Sequence, residues 1–205
     1  MPRVALVDYG LCNLDSIRRA LEICGGTPIV CKDGADISGA DMIVLPGVGA
    51  FGAAMANLTS SGAAAALHEA ATHGVPLLGI CLGMQLLASA SDEGGRNAGL
   101  GLIPGEVTLL DAAGTNERVP HMGWNSVVSL ESDEPLLRNL PPNPNFYFVH
   151  SYHFRPLDPA HVVATTPYCG TFSSIVRRAN VCGTQFHPEK SQRAGFQLLE
   201  NFLKQ

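Results

Sequence analysis

Residues 74–89 read GVPLLGICLGMQLLAS, and Cys81 stands in this apolar run with Gly79 and Gly83 on either side. A free cysteine in such a run is ordinarily a small core residue. Its surroundings argue for more. Residues 75–80 have the pattern of a short strand buried on both faces. Residues 82–90 then read as a helix, with Leu82, Gln85 and Leu86 on one face. Cys81 therefore falls where strand becomes helix with no room for a loop. The pattern Gly79-x-Cys81-x-Gly83 has the layout of a nucleophile elbow, with Cys in place of Ser. Small neighbours let the chain fold back sharply and push one side chain out above the sheet. The first free N–H groups of the helix face the same point, which favours a thiolate and a developing oxyanion.

The rest of the chain suits an α/β frame around that turn. At 205 residues, 46% apolar and 15% charged, it can bury a substantial core. The net charge of −5 comes with no basic run, which argues against a nucleic-acid partner. The apolar run after Arg3 stops at Asp8, too short for a signal-peptide core, and no segment reaches a membrane span. The six cysteines (12, 24, 31, 81, 169, 182) show no C-x-x-C and no metal spacing. A reduced, cytoplasmic protein without metal or cofactor is the expectation.

In the first half, strands at 3–7, 28–31, 42–45 and 75–80 alternate with helices at 14–24 and 52–72, the latter interrupted near 60–62. That alternation predicts a doubly wound, mostly parallel sheet with helices on both faces. The second half reads as short strands at 106–110, 126–130, 146–154, 162–166, 172–177 and 181–186, the last two forming a hairpin through 178–180. A terminal helix follows, with Phe196, Leu199 and Leu203 on one face and Ser191 as its N-cap. The prediction is one domain over 1–205: a parallel core with an added mixed or antiparallel sheet.

A catalytic cysteine needs a base, and the base an orienting group. Of seven histidines, His68 and His73 read as surface residues and His161 as the start of a strand. His121, His150 and His153 suit either polar core positions or a site. His187 follows an apolar strand and leads into Pro188-Glu189. In an extended chain i and i+2 point the same way, and Pro188 biases His187 away from helix. Glu189 can then hold one ring nitrogen while the other faces a thiol, although an ordinary strand-end histidine fits as well. Leu45-Pro46-Gly47-Val48-Gly49 follows a strand expected beside that of Cys81. It is either half an oxyanion hole at the carboxyl edge of the sheet or an ordinary strand-to-helix turn.

Taken in order, these pieces resemble the class I glutamine amidotransferases. GICLGMQLL (79–87) resembles that family's nucleophile motif, and VCGTQFHPEKS (181–191) its histidine–glutamate motif. VDYGLCNLDSI (7–17), LPGVGAF (45–51), GLGLIPGEV (99–107), VPHMGWN (119–125) and FVHSY (148–152) resemble the branch that supplies ammonia for histidine biosynthesis. One departure is Cys12, where that branch would have glycine before Asn13.

The resemblance implies hydrolysis of glutamine to glutamate and ammonia, with Cys81 as nucleophile, His187 as general base and acid, and Glu189 as orienter. It places one oxyanion donor at the Leu82 N–H and another at the Val48-Gly49 peptide. Gln85, Glu93, Ser151 and Tyr152 match positions that hold the amino-acid end of the substrate; Gln85, one helical turn past Cys81, also fits on geometry alone. A chain of this length has little room for a second, ammonia-accepting site. The implied partner is a (βα)8-barrel cyclase subunit in a heterodimer, with Asn13, Trp124, Tyr147 and Lys190 at the interface. Trp124 suits core packing equally well.

The same residues bear on three alternatives. The glutaminase of another synthase, such as that of pyridoxal phosphate, is disfavoured by PHMGWN. A thiol hydrolase of α/β-hydrolase type would carry its acid before the histidine, whereas Glu189 follows His187. A catalytically silent binding subunit would have lost Cys81, His187 or Glu189.

Overall fold

The computed structural model describes residues 1–130 and 133–205. In chain order the elements are β1 (Arg3–Val7), α1 (Leu14–Ile23), β2 (Thr27–Cys31), α2 (Gly34–Ile37), β3 (Met42–Gly47), α3 (Phe51–Ser60), α4 (Ala63–Thr72), β4 (Leu77–Cys81) and α5 (Leu82–Leu86). Then come β5 (Ala90–Ser91), β6 (Asn97–Ala98), β7 (Gly105–Leu109), β8 (His121–Ser126), β9 (Val128–Ser129), β10 (Asn145–His150), β11 (Tyr152–Pro156), β12 (Val162–Thr166), β13 (Phe172–Arg178), β14 (Val181–Thr184) and α6 (Gln192–Phe202).

One eight-stranded sheet in the order β2-β1-β3-β4-β14-β13-β12-β9 forms the centre. Its first five strands are parallel and the last three continue antiparallel. Alternating side chains of the strands feed two cores. Val4, Leu6, Val44 and Ile80 pack with Ile17 and Leu21 of α1 and Leu199 and Phe202 of α6. Ala5, Val7, Ile43 and Leu45 pack with Phe51 and Leu58 of α3 and Leu67 of α4. All five residues of β4 are buried, as a strand covered on both faces must be. Two small sheets, β10-β8 and β11-β7-β5-β6, lie beside this body. Among the described residues no helix is long and apolar enough to cross a membrane.

The structure corrects several boundaries. The helix expected over 82–90 ends at Leu86. The amides of Leu100, Ile103 and Gly101 take the carbonyls of Leu86, Leu87 and Ala88, so the turn cannot continue. The strand expected over 146–154 breaks at Ser151, because β10 pairs with β8 and β11 with β7. Phe148 enters the core of α1 and α6, while Phe154 enters the other. The strand expected over 126–130 is only β9, and β8, which precedes it, was hidden within a motif. The hairpin strands expected in an added sheet belong to the central one, with β14 inserted beside β4. Ser191 does precede α6, but its hydroxyl does not cap it. It donates to the His187 carbonyl at 2.6 Å and accepts from the Tyr147 amide at 3.0 Å. Cys12 leaves the first turn intact, since the left-handed residue there is Gly10 at φ +83°.

Candidate active site

Strand pairing converges on one edge. Gly47 at the end of β3 sits opposite Cys81 at the end of β4, and Thr184 of β14 sits opposite Ile80. The segments following β3 and β14 therefore flank Cys81. Cys81 adopts φ +55°, ψ −110°, a region that L side chains rarely occupy and that costs about 1–3 kcal/mol. The flanking glycines explain how the turn closes. A Cβ on Gly83 would overlap the Leu45 carbonyl of β3, and one on Gly79 would stand 2.7 Å from the Gly83 oxygen. With both side chains absent, α5 returns directly over the strands.

His187 is held by its own backbone, whose N–H donates to the Tyr147 carbonyl at 2.9 Å. Its Nδ1 lies 2.9 Å from Glu189 Oε1. The pair meets through a single tight turn over Pro188–Lys190, not by extended alternation as the sequence reading argued. The Nε2 of His187 is buried, with no hydrogen-bond partner among the described residues. Burial pulls this imidazole down, but the Cys81 sulfur and the Glu189 carboxylate more than offset it, and the pKa is raised to about 9.

Cys81 and His187 line one cavity of about 330 Å³. Val48, Gly49, Leu82, Gln85, Glu93, Ser151 and Tyr152, all expected at the site, line the same cavity. Glu189 stands behind His187. Gly49 holds φ +103°, which leaves the Val48-Gly49 peptide in an orientation suited to glycine. Glu93 is partly committed elsewhere, since its Oε2 accepts from the Phe51 amide at the start of α3, 2.8 Å away.

With this geometry in hand, the profile described as glutamine amidotransferase class-I matches residues 5–205. The chain belongs to the class I glutamine amidotransferases. Curated relatives of this amidotransferase include the imidazole glycerol phosphate synthase subunit HisH of Moorella thermoacetica, 49% identical over 98% of this chain and 94% of that one. The HisH subunit of Rhodospirillum rubrum is 47% identical, covering 98% of each chain. Among solved structures, PurLQS from Thermotoga maritima has a TM-score of 0.80 at 21% identity, covering 99% of this chain and 98% of that one, a likeness of fold.

One residue in contact with Cys81 of this amidotransferase, the buried Gln185, was not among the expected site residues. Gln185 donates to Cys81 Sγ at 3.8 Å, and its Oε1 accepts from Gln85 Nε2 at 3.0 Å. Its position two before His187 on an extended chain was the available signal. His150, left open between core and site, lines the cavity. The four expected interface residues lie outside it. Trp124 is half exposed, so it is not a core residue. Its ring meets Tyr147 at 6.1 Å, and Lys190 Nζ stands 6.0 Å from the Tyr147 ring. Asn13 is exposed at the start of α1, which packs against the Pro188–Lys190 turn.

Proposed function

We infer that this amidotransferase is the glutaminase subunit of an imidazole glycerol phosphate synthase. It hydrolyses glutamine and passes the ammonia to a cyclase subunit for histidine biosynthesis. Similarity to HisH subunits along 98% of the chain carries the choice of synthase. The placement of Cys81 and the His187–Glu189 pair at one cavity supports the chemistry.

The Cys81 thiolate attacks the carboxamide carbon, and the tetrahedral oxyanion is held by the Leu82 N–H and the Val48-Gly49 peptide. His187, whose pKa of about 9 keeps a proton on its ring at neutral pH, gives that proton to the departing ammonia. The resulting thioester is cleared by water that the same ring deprotonates, releasing glutamate and restoring the thiol. Gln85, Glu93, Ser151 and Tyr152 hold the amino and carboxylate end of the substrate. The partner is a cyclase of (βα)8-barrel type that docks on Asn13, Trp124, Tyr147 and Lys190, and the pair works in the cytoplasm.

The test is glutamate release by the purified chain, alone and with the cyclase and its nucleotide ligand. A large rise on mixing is expected, and Cys81→Ala abolishes it while leaving the complex assembled. High activity indifferent to the cyclase overturns the partner, and glutamate release by Cys81→Ala at the wild-type rate overturns the nucleophile.

A further inference from the structure

The two-stranded sheet has two unlike faces. Met122 and Trp124 on the outer face of β8 are exposed. On the inner face His121 sits opposite His150. The His150 Nδ1 is 2.8 Å from the Tyr152 carbonyl oxygen, which can only accept, so that nitrogen carries the proton. In a neutral ring its Nε2 then accepts, and the His121 Nδ1 at 3.1 Å must donate. The His121 Nε2 accepts in turn from Asn125 Nδ2 at 3.4 Å. All donors along this chain point the same way, from Asn125 to His121 to His150 to the Tyr152 carbonyl.

The arrangement requires both rings neutral. Burial supplies this, pulling His121 to about 4 and His150 to about 3. The charged or titratable groups that act on them are Glu117 on His121, and His121, His153 and His187 on His150. The His121 ring is further held between Phe148 and Tyr168, with centroids 4.8 and 3.9 Å away. The Tyr152 carbonyl also accepts from Gln85 Nε2 at 2.8 Å. Two donors thus converge on one carbonyl of the cavity wall, one from the helix that follows Cys81 and one from the ribbon that carries Trp124.

We propose that His121 and His150 are positioning residues, whose hydrogen-bond chain fixes the cavity wall at Ser151 and Tyr152 and ties it to the Trp124 ribbon. The inference rests on the reading that this wall holds glutamine.

Two measurements test it. The first needs no activity: nitrogen-15 spectra of the side-chain rings. Both rings are expected as neutral Nδ1–H tautomers between about pH 5 and 8. An Nε2–H tautomer, or protonation of either ring within that range, overturns the proposal. The second is kinetics in the complex with the cyclase. His121→Phe keeps the stack and removes the donor, and is expected to raise KM for glutamine about ten-fold with kcat within about two-fold. His121→Asn, whose amide nitrogen falls near the lost Nδ1, brings KM back to within about three-fold. If His121→Phe does not fold, His121→Gln replaces it, since its nitrogen falls at the Nε2 position instead. An unchanged KM in the donor-free variant, or equal loss in that variant and His121→Asn, overturns the role. A wild-type enzyme that hydrolyses no glutamine would defeat the proposed function, while the ring tautomers would still decide this inference.

Discussion

His187 and His150 border the same cavity and are buried to a similar depth, 3% and 7% exposed, yet the first is raised to about 9 and the second lowered to about 3. Burial lowers both. The difference lies in what each ring faces. His150 meets a carbonyl and another imidazole, and the Tyr152 carbonyl repays only part of the solvation lost on charging. His187 meets a carboxylate and a sulfur, and the charged ring is favoured. The same contrast extends to their surroundings. At the sheet edge, His187 Nε2, Glu189 Oε2 and the Tyr9 hydroxyl under Gly47 are buried with no hydrogen-bond partner among the described residues, and Cys81 is strained. On the ribbon, His121, His150 and Asn125 are mutually satisfied. At the sheet edge unpaired groups coincide with a strained cysteine at one cavity, whereas the ribbon beside it is fully paired along its histidine chain.

The sharpest way to break the contrast is to remove the carboxylate. Glu189→Gln keeps the shape of the pair and should lower kcat/KM by about 10³–10⁴-fold. It should also let the pKa of His187 fall, since the charge that holds it up is gone. Linkage gives a second signature. A raised pKa stabilises the fold fully below the unfolded value of about 6.5, and that stability is lost as pH rises through about 9. The alkaline loss should therefore be steeper in the wild type than in Glu189→Gln. A pH titration of the ring and of unfolding checks both, and an unmoved His187 pKa removes Glu189 as the orienting group.

A smaller effect separates strain from chemistry. Glycine tolerates φ +55° and alanine does not. Cys81→Gly should be about 1 kcal/mol more stable than Cys81→Ala towards urea, with both inactive. Equal stability would mean that the elbow stores no strain.

How much of this was legible in the sequence follows from the same division. The elbow and the strands β1, β3 and β4 announce themselves through short-range signals, paired glycines and unbroken apolar runs, whereas the HPE tripeptide alone left His187 open between a strand end and a site. The break at Ser151 carries no such signal, because FYFVHSYHF alternates smoothly on both sides of it. What divides it is tertiary: Phe148 and Phe154 belong to different cores. The early end of α5 has a similar cause, since its last carbonyls are taken by residues 100–103, far along the chain. His121 and His150 could not be assigned for the same reason. Their pairing depends on the β8–β10 register, which no local pattern specifies.

The last effect lies on the acid side, where the paired histidines should act opposite to His187. Their folded pKa values, about 4 and about 3, lie below the unfolded 6.5, so between these limits the unfolded chain binds more protons. Their contribution to stability is complete above about pH 6.5 and is lost as pH falls towards those values. Each such ring adds at most about 1.4 kcal/mol per pH unit to the slope of unfolding free energy. His121→Phe removes one of the two, so its stability should depend less steeply on pH between about 4 and 6.5, whatever its absolute stability at neutral pH. Denaturant unfolding at stepped pH measures that slope. An identical slope in wild type and variant would mean that His121 charges as readily in the fold as out of it, and the ribbon would then lose the property that sets it apart from the sheet edge.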